Sequence, residues 1–199
     1  MSNNNLKKKI FPLTDNIDNL KYDQEGLWSI THPEQADEIS NLIRNHFYKN
    51  NKKKYTTILD ATAGIGGNLI SFCRYFNFVY GIEICENRFE MLKNNIETYN
   101  FTNVSIINND CLNYFNVIKA DIVFFDPPWG GPDYKFNPKI EIKIGNKRLS
   151  DIVEILENKA KLICIKLPLN FNMTTLVNRL TLPIFDYKFK NMRLIIIDL

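Results

Sequence analysis

The chain lacks several features that would place it in other classes of protein. No stretch approaches the roughly 20 apolar residues that a membrane-spanning helix needs, and the start of the chain lacks a signal-peptide pattern. Two histidines are too few for a histidine metal site, and the four cysteines are scattered without metal-ligand spacing. We therefore expect no membrane association, no bound metal and an intracellular location with reduced thiols, in the cytoplasm or the nucleus.

Positive charge is modest in total and uneven along the chain. The formal net charge is +3, and basic residues cluster in three places: Lys7–Lys9, Lys52–Lys54, and Lys188 with Lys190 and Arg193. Such runs are usually solvated surface, but they bind phosphates where a fold brings them together. Residues 1–22 are predicted to be a flexible basic arm. Residues 23–199 are expected to form a single, monomeric domain whose first part, about 23–50, is a helical extension.

Apolar segments alternate between the periods of helices and of strands. Strands that alternate with helices favour a mostly parallel sheet, and two closing strands without a helix between them indicate one antiparallel strand. The pattern predicts the α/β, seven-stranded, Rossmann-like fold of class I S-adenosylmethionine-dependent methyltransferases. An ordinary dinucleotide-binding Rossmann sheet is the alternative. Strands are predicted at about 57–61, 78–82, 104–107, 122–125, 162–166, 184–189 and 193–198, and helices at about 33–48, 67–75, 86–99, 151–158 and 174–180.

A glycine-rich turn joins the first predicted strand to the next helix. Asp60 and Ala61 end the strand, Gly64 and Gly66 let the backbone approach a ligand, and Asn68 lies in the first helical turn. A dinucleotide site would show Gly-x-Gly-x-x-Gly, whereas the spacing here is Gly-x-Gly-Gly. A carboxylate at the strand end would repel a pyrophosphate, but it suits the ammonium group of a methionine moiety.

Acidic residues also end the second and third predicted strands. Glu83 is placed to hold both ribose hydroxyls of a nucleoside cofactor. Asn109 and Asp110 are placed to meet an adenine amine, and Cys111 or Leu112 is placed to pack on the adenine face. Each acid alone is more often a surface residue. Three acids at successive strand ends, with glycines after the first, predict binding of S-adenosyl-L-methionine.

The most specific motif is the heptapeptide Asp126-Pro127-Pro128-Trp129-Gly130-Gly131-Pro132, which follows the apolar run Ile122–Phe125. The two prolines remove backbone donors, which leaves the Asp126 carboxylate and backbone carbonyls as acceptors beside an aromatic ring. Such a turn suits a planar base that carries an exocyclic amine. We predict catalytic roles for Asp126, Pro127 and Trp129, and a contact of Asp126 with the cofactor. A plain structural corner is the alternative.

Together these residues resemble the trimethylguanosine synthase family, the RNA cap guanine-N2 methyltransferases. The resemblance runs from about Asp23 to the C-terminus, and the motif Pro127–Tyr134 is its most specific part. It implies that Trp129 stacks on an N7-methylated guanine and that Ser29 and Thr31 help to close the cofactor pocket. The other shared segments are Asp23–Gly26, Pro33-Glu34, Gly64–Asn68 and Asn94-Asn95.

The resemblance implies methyl transfer to the N2 amine of an N7-methylguanosine-capped RNA. The expected substrate contacts are Trp129, Pro132, Tyr134, Lys190 and Arg193. Asp126 stands where many relatives carry serine, so a hydroxyl there is expected to preserve function. Leu169 stands where the family carries a phosphate-binding arginine. The alternatives are a guanine-N2 enzyme for ribosomal or transfer RNA, an adenine-N6 enzyme, and a cap-binding module that has lost catalysis.

Overall fold

The computed structural model describes residues 3–199 and divides the chain into two compact units, Met1–Cys111 and Leu112–Leu199. The first unit alternates helices with three parallel strands in the spatial order β3-β2-β1. Its elements are α1 (Asn3–Ile10), α2 (Gln24–Ser29), α3 (Pro33–Asn50), β1 (Thr57–Asp60), α4 (Gly67–Tyr75), β2 (Phe78–Glu83), α5 (Glu86–Thr98) and β3 (Val104–Asn108).

The second unit continues with strands in the order β4-β7-β9-β8 and carries a short separate hairpin, β5-β6. Strand β9 pairs antiparallel with both β7 and β8, whereas β4 and β7 are parallel. Its elements are β4 (Ile122–Phe125), β5 (Lys143–Ile144), β6 (Lys147–Arg148), α6 (Leu149–Leu156), β7 (Leu162–Pro168), α7 (Thr174–Val177), β8 (Ile184–Lys188) and β9 (Met192–Asp198).

Seven of these strands form one mostly parallel sheet in which β9 is the antiparallel strand, which confirms the predicted fold class. The strands form where the sequence has its apolar runs, because a strand covered on both faces must be apolar throughout. Strands β4 and β7 are buried along their whole length. Helix α3 begins with Pro33, whose missing N–H costs nothing at the first helical position.

The segment before α2 differs from the predicted flexible arm. Residues 3–10 form helix α1, and the next residues pack into the first unit: Phe11 and Leu20 are each 1% exposed. The Lys7 ammonium donates to the Asp18 carbonyl at 2.6 Å, so part of the lysine run is used internally. A few apolar side chains anchor this polar segment. The overall composition of the segment did not predict this anchoring. Residues 1 and 2 of the predicted arm lie outside the described residues.

Asn95 joins this N-terminal segment to the glycine-rich turn. Its side chain is fully buried, its Oδ1 accepts from the Lys21 N–H at 2.7 Å, and its Nδ2 donates to the carbonyls of Lys21 and Ile65, each at 2.9 Å. One amide therefore satisfies both backbone groups of Lys21 and fixes a carbonyl within the turn. The neighbouring Asn94 makes a more exposed bond to the Asn19 carbonyl.

We expect Asn95→Ala to lower the free energy of unfolding by about 1–3 kcal/mol, because it removes the partner of the buried Ile65 carbonyl and of both backbone groups of Lys21. Urea unfolding followed by circular dichroism measures this change. Asn94→Ala is the matched control and should cost about 0.5–1.5 kcal/mol, the value of an ordinary hydrogen bond. Equal effects of the two substitutions would contradict the anchoring role of Asn95.

Candidate active site

Carboxylates follow the carboxyl ends of the three parallel strands of the first unit. Asp60 is the last residue of β1, Glu83 is the last residue of β2, and Asp110 lies two residues after β3. Parallel pairing of Asp60 with Gly81 and of Glu83 with Asn108 puts the strand ends at one edge. Asp60 and Glu83 are 1% and 6% exposed. This edge therefore offers buried hydrogen-bond acceptors with negative charge.

The turn between β1 and α4 leaves its backbone open to a ligand. Gly64 and Gly66 have φ values of 56° and 105°, which side chains rarely adopt, and Gly66 caps α4. Among the described residues, no atom lies within 4 Å of the position that a Cβ on Gly64 would take. Ala61 and Asn68, at the two ends of the turn, are buried. The predicted glycine turn thus leaves its backbone accessible at Gly64.

Glu83 is fixed by donors from three parts of the first unit. Its Oε2 accepts from the Gly64 N–H at 2.8 Å, and its Oε1 accepts from the Cys85 N–H at 2.8 Å. Arg88 bridges Glu83 at 3.5 Å and Glu25 of α2 at 2.6 Å. Burial lowers the pKa of Arg88, but the charges of Glu83 and Glu25 outweigh burial and raise it above its usual value. No pattern in the sequence predicted this bridge between Arg88 and the two glutamates.

The segment after α2 brings Thr31 to the start of α4. A Cβ on Gly67 would lie 2.9 Å from the Thr31 carbonyl oxygen, so this close approach requires glycine. Thr31 is 2% exposed. Ser29 is instead exposed on α2, where its hydroxyl donates to the Glu25 carbonyl. The structure therefore places Thr31, but not the Ser29 hydroxyl, beside the glycine-rich turn.

The residues after β3 differ in exposure. Asn109 is exposed, and its Oδ1 accepts from the Asp110 N–H at 2.9 Å. Asp110 is half-buried and Cys111 is buried. The Asn109 side chain thus stabilises the local backbone. Of the two residues predicted to contact an adenine amine, Asp110 is the less exposed to solvent.

In the second unit, Asp126 is paired with a lysine that the sequence analysis did not single out. The Lys166 ammonium donates to Asp126 Oδ2 at 2.7 Å, and the two side chains are 7% and 13% exposed respectively. Strands β4 and β7 pair Phe125 with Ile165, so Asp126 and Lys166 are the next residues along two neighbouring parallel strands. The signal in the sequence was a lone lysine in the otherwise apolar segment Leu162–Leu167.

Trp129 lies beside this ion pair. The Lys166 Nζ is 5.1 Å from the centre of the indole, and the Tyr134 ring meets the indole edge-on, also at 5.1 Å. Trp129 is half-buried, and its buried Nε1–H has no hydrogen-bond partner among residues 3–199. Native proteins seldom leave a buried donor unpaired, and exceptions often mark functional sites. The structure therefore brings Asp126, Trp129 and Tyr134 into one cluster with Lys166.

The rest of the turn is shaped by proline and glycine. Pro127 is buried, which fixes its carbonyl next to Asp126. Gly130 and Gly131 have φ values of 96° and 81°, and an exposed 3₁₀ helix begins at Pro132.

The two basic residues predicted near the C-terminus have different surroundings. The Arg193 guanidinium pairs with Asp186 at 3.1 Å and donates to the Leu169 carbonyl at 3.1 Å. Arg193 thus lies against the backbone of Leu169. Lys190 is exposed after β8. Their predicted contacts with a substrate remain predictions.

Other chemistries have little support in the residues that the structure describes. No group of three or more potential metal ligands occurs among them. Burial raises the pKa of Cys73 to about 12, so this thiol is not poised as a nucleophile. No helix within residues 3–199 has the length and apolar character needed to cross a bilayer.

Comparisons with known proteins agree with this geometry. The chain is 29% identical to the uncharacterized protein L320 of Acanthamoeba polyphaga mimivirus, over 94% of this chain and 78% of that protein. It is 28% identical to trimethylguanosine synthase of Saccharomyces cerevisiae, over 78% of this chain and 50% of that enzyme. The chain therefore spans only half the length of the yeast enzyme.

A solved structure shares the fold. The Thermus thermophilus 16S rRNA N2 G1207 methyltransferase, in complex with AdoMet and guanosine, aligns with a TM-score of 0.60 at 12% identity, over 89% of this chain and 43% of that one. The sequence model of one family, described as RNA cap guanine-N2 methyltransferase, matches residues 55–194. This match covers more than half of the chain and includes the glycine-rich turn and the Asp126–Tyr134 cluster. The chain belongs to the RNA cap guanine-N2 methyltransferase family.

Proposed function

We propose that this chain methylates the exocyclic N2 amine of an N7-methylguanosine RNA cap and uses S-adenosyl-L-methionine as the methyl donor. The observation that carries the proposal is the cluster of the second unit, where a carboxylate, a prolyl carbonyl and a half-buried indole follow one buried strand. This cluster offers acceptors for an amine beside a ring that stacks on a base. Membership of the family supports the same substrate class.

The residues of the first unit fit S-adenosylmethionine. The buried Asp60 carboxylate suits an ammonium group and would repel a pyrophosphate. Glu83 is held in one orientation by its donors, and a carboxylate has about four acceptor sites, so it can also accept from ribose hydroxyls. Asp110 can accept from an adenine amine, and the open backbone at Gly64 admits the ligand. When bound, S-adenosylmethionine supplies a methyl group on a positively charged sulfur.

Asp126 and Pro127 would orient the base. The N2 amine of guanine is a weak nucleophile because its lone pair is delocalised into the ring. Hydrogen bonds from the amine to the Asp126 carboxylate and the Pro127 carbonyl hold the nitrogen in one orientation, and such positioning lowers the barrier to transfer. As nitrogen takes the methyl group, it must lose a proton, for which Asp126 or water is the acceptor.

Lys166 has a positioning role in this proposal. Its bond to Oδ2 holds the Asp126 carboxylate in place and compensates a charge that is otherwise costly to bury. Asp126 can also accept from an amine, because a carboxylate has about four acceptor sites.

One observation favours a second candidate function, methylation of guanine N2 in an uncapped RNA. The Lys166 ammonium already lies over the Trp129 ring. An indole that already attracts one cation has less to gain from a cationic base than an indole with both faces open. The two functions differ in whether the base must carry the N7 methyl group.

The N7 methyl group should be required for turnover under the first proposal. Stacking of the cationic base on Trp129 adds about 0.5–2 kcal/mol over stacking of the neutral base. The assay compares unmethylated and N7-methylated cap dinucleotides at equal concentration and counts transferred methyl groups by mass spectrometry. Comparable turnover of the two would reject the cap proposal and support the second candidate.

Trp129→Ala should weaken binding of an N7-methylguanosine cap analogue by about 1–3 kcal/mol, the value of one base–aromatic stack, and leave cofactor affinity unchanged. Isothermal calorimetry with each ligand measures both effects. Trp28→Ala is the matched control, because Trp28 is 61% exposed on α2. An unchanged cap affinity in Trp129→Ala would show that the indole serves only packing.

The ion pair changes the expectation for position 126. Asp126→Ser and Asp126→Ala should each destabilise the chain by about 3–5 kcal/mol, because each removes the carboxylate that compensates the buried Lys166 ammonium. The double variants Asp126→Ser/Lys166→Met and Asp126→Ala/Lys166→Met should regain stability.

Activity separates the two double variants. Only the serine variant keeps an acceptor for the amine, and loss of one aligned polar group at a reacting centre costs about 2.7–4 kcal/mol of barrier. Single-turnover rates and urea unfolding test both statements. Equal rates for the two double variants would show that residue 126 is not an acceptor.

A further inference from the structure

A basic segment, defined here as residues 132–148, lies between the Trp129 turn and α6. It carries two acidic residues, Asp133 and Glu141, and five cationic ones: Lys135, Lys139, Lys143, Lys147 and Arg148. This excess of positive charge equals the net charge of the entire chain. None of the functions assigned above uses these five cations.

The fold presents the charges of the β5-β6 hairpin to solvent. Ile142 and Ile144 are each 6% exposed and anchor the hairpin, whereas Lys143 and Arg148 are exposed. The antiparallel register places Lys143 directly opposite Arg148. Like charges at directly opposite positions destabilise a strand pair. An anionic ligand on this face would relieve that repulsion.

Among residues 3–199, the five cations also have no acidic partner within 4 Å. Arg74, Arg88 and Arg179 each pair with a carboxylate within 4 Å. Within the part of the chain that the structure describes, none of the five cations of the basic segment forms such a pair. Their charge is therefore available to an external anion.

An exposed aromatic ring accompanies the charge. Phe136 is 75% exposed, and the Lys135 Nζ lies 5.3 Å from its ring centre. The segment around this ring is fixed, because the Asn170 amide donates to the carbonyls of Tyr134 and Asn137 at 2.9 and 2.6 Å. Exposed aromatic rings beside cationic side chains are the elements with which proteins bind single-stranded nucleic acid.

We propose that the basic segment binds the single-stranded RNA that continues from the target guanosine. The cations of the β5-β6 hairpin contact backbone phosphates, and Phe136 stacks on a base. The inference rests on the proposed function and extends it from the methylated nucleotide to the RNA that follows. The order along the chain supports this substrate, because the segment begins directly after the Trp129 turn and Tyr134 contacts the indole.

If the basic segment binds RNA, KM should depend on the length of the substrate. A capped single strand of about twelve nucleotides should have a KM on the order of tenfold lower than that of the cap dinucleotide, with a similar kcat. Each phosphate contact to a single strand contributes about 0.7 to the slope of log affinity against log salt. The advantage of the longer substrate should therefore shrink as salt rises.

The test uses Lys143→Gln/Lys147→Gln, with Lys52→Gln/Lys54→Gln as the matched control that removes two exposed charges elsewhere. In the hairpin variant, the KM for capped RNA should rise at least threefold. Its kcat and KM with the cap dinucleotide should not change. The control should behave as the unsubstituted chain. Phe136→Ala should weaken RNA binding without changing its salt dependence.

Fluorescence anisotropy with labelled single-stranded RNA, capped and uncapped, separates this inference from the proposed function. Weaker RNA binding by the hairpin variant supports the proposal that the basic segment binds RNA. This holds even if the dinucleotide is never methylated, and in that case only the cap proposal fails. Unchanged RNA binding, or an equal loss in the control, overturns the proposal. Binding of anionic lipid vesicles in place of RNA would also overturn it.

Discussion

The cost of burying a carboxylate shapes both units of this molecule. Glu83 and Asp126 are largely withdrawn from water, and each is stable only because donors surround it. Around Glu83 the donors come from the glycine-rich turn, from the backbone before α5 and from Arg88. Around Asp126 a lysine from the neighbouring strand supplies the counter-charge. The hydrogen bonds and ion pairs that stabilise these buried carboxylates also fix their orientation.

The family assignment and the geometry limit the chemistry at different levels. The family match places the chain among the RNA cap guanine-N2 methyltransferases. The buried carboxylates of the first unit are the acceptors that the proposed cofactor would need. Under the proposed function, the choice of base would depend on the second unit. There the Trp129 indole has neighbours on two sides, Lys166 over its ring and Tyr134 at its edge.

Periodicity predicted the strands and long helices well, because buried strands and amphipathic helices leave strong patterns. The glycine-rich turn was also visible, since its φ values demand glycine. Composition did not predict α1, because its sequence is polar and the segment is anchored by the buried Phe11 that follows the helix. The β5-β6 hairpin was missed because its strands have two residues each. Lys166 was missed because its partner is distant in sequence. The predicted role of Ser29 at the cofactor pocket stays a prediction, because a sequence motif does not report which way a hydroxyl faces.

The pairing of Asp126 with Lys166 has a consequence for how such a chain evolves. An exchange of Asp126 for a neutral residue such as serine removes the carboxylate that compensates the charge of Lys166. A substitution at only one of the two positions removes the opposite charge from the other, which destabilises the chain and is therefore selected against. The two positions, on neighbouring strands, should therefore change together or through an intermediate in which the lysine has already been lost. Covariation between them among homologues would record that route.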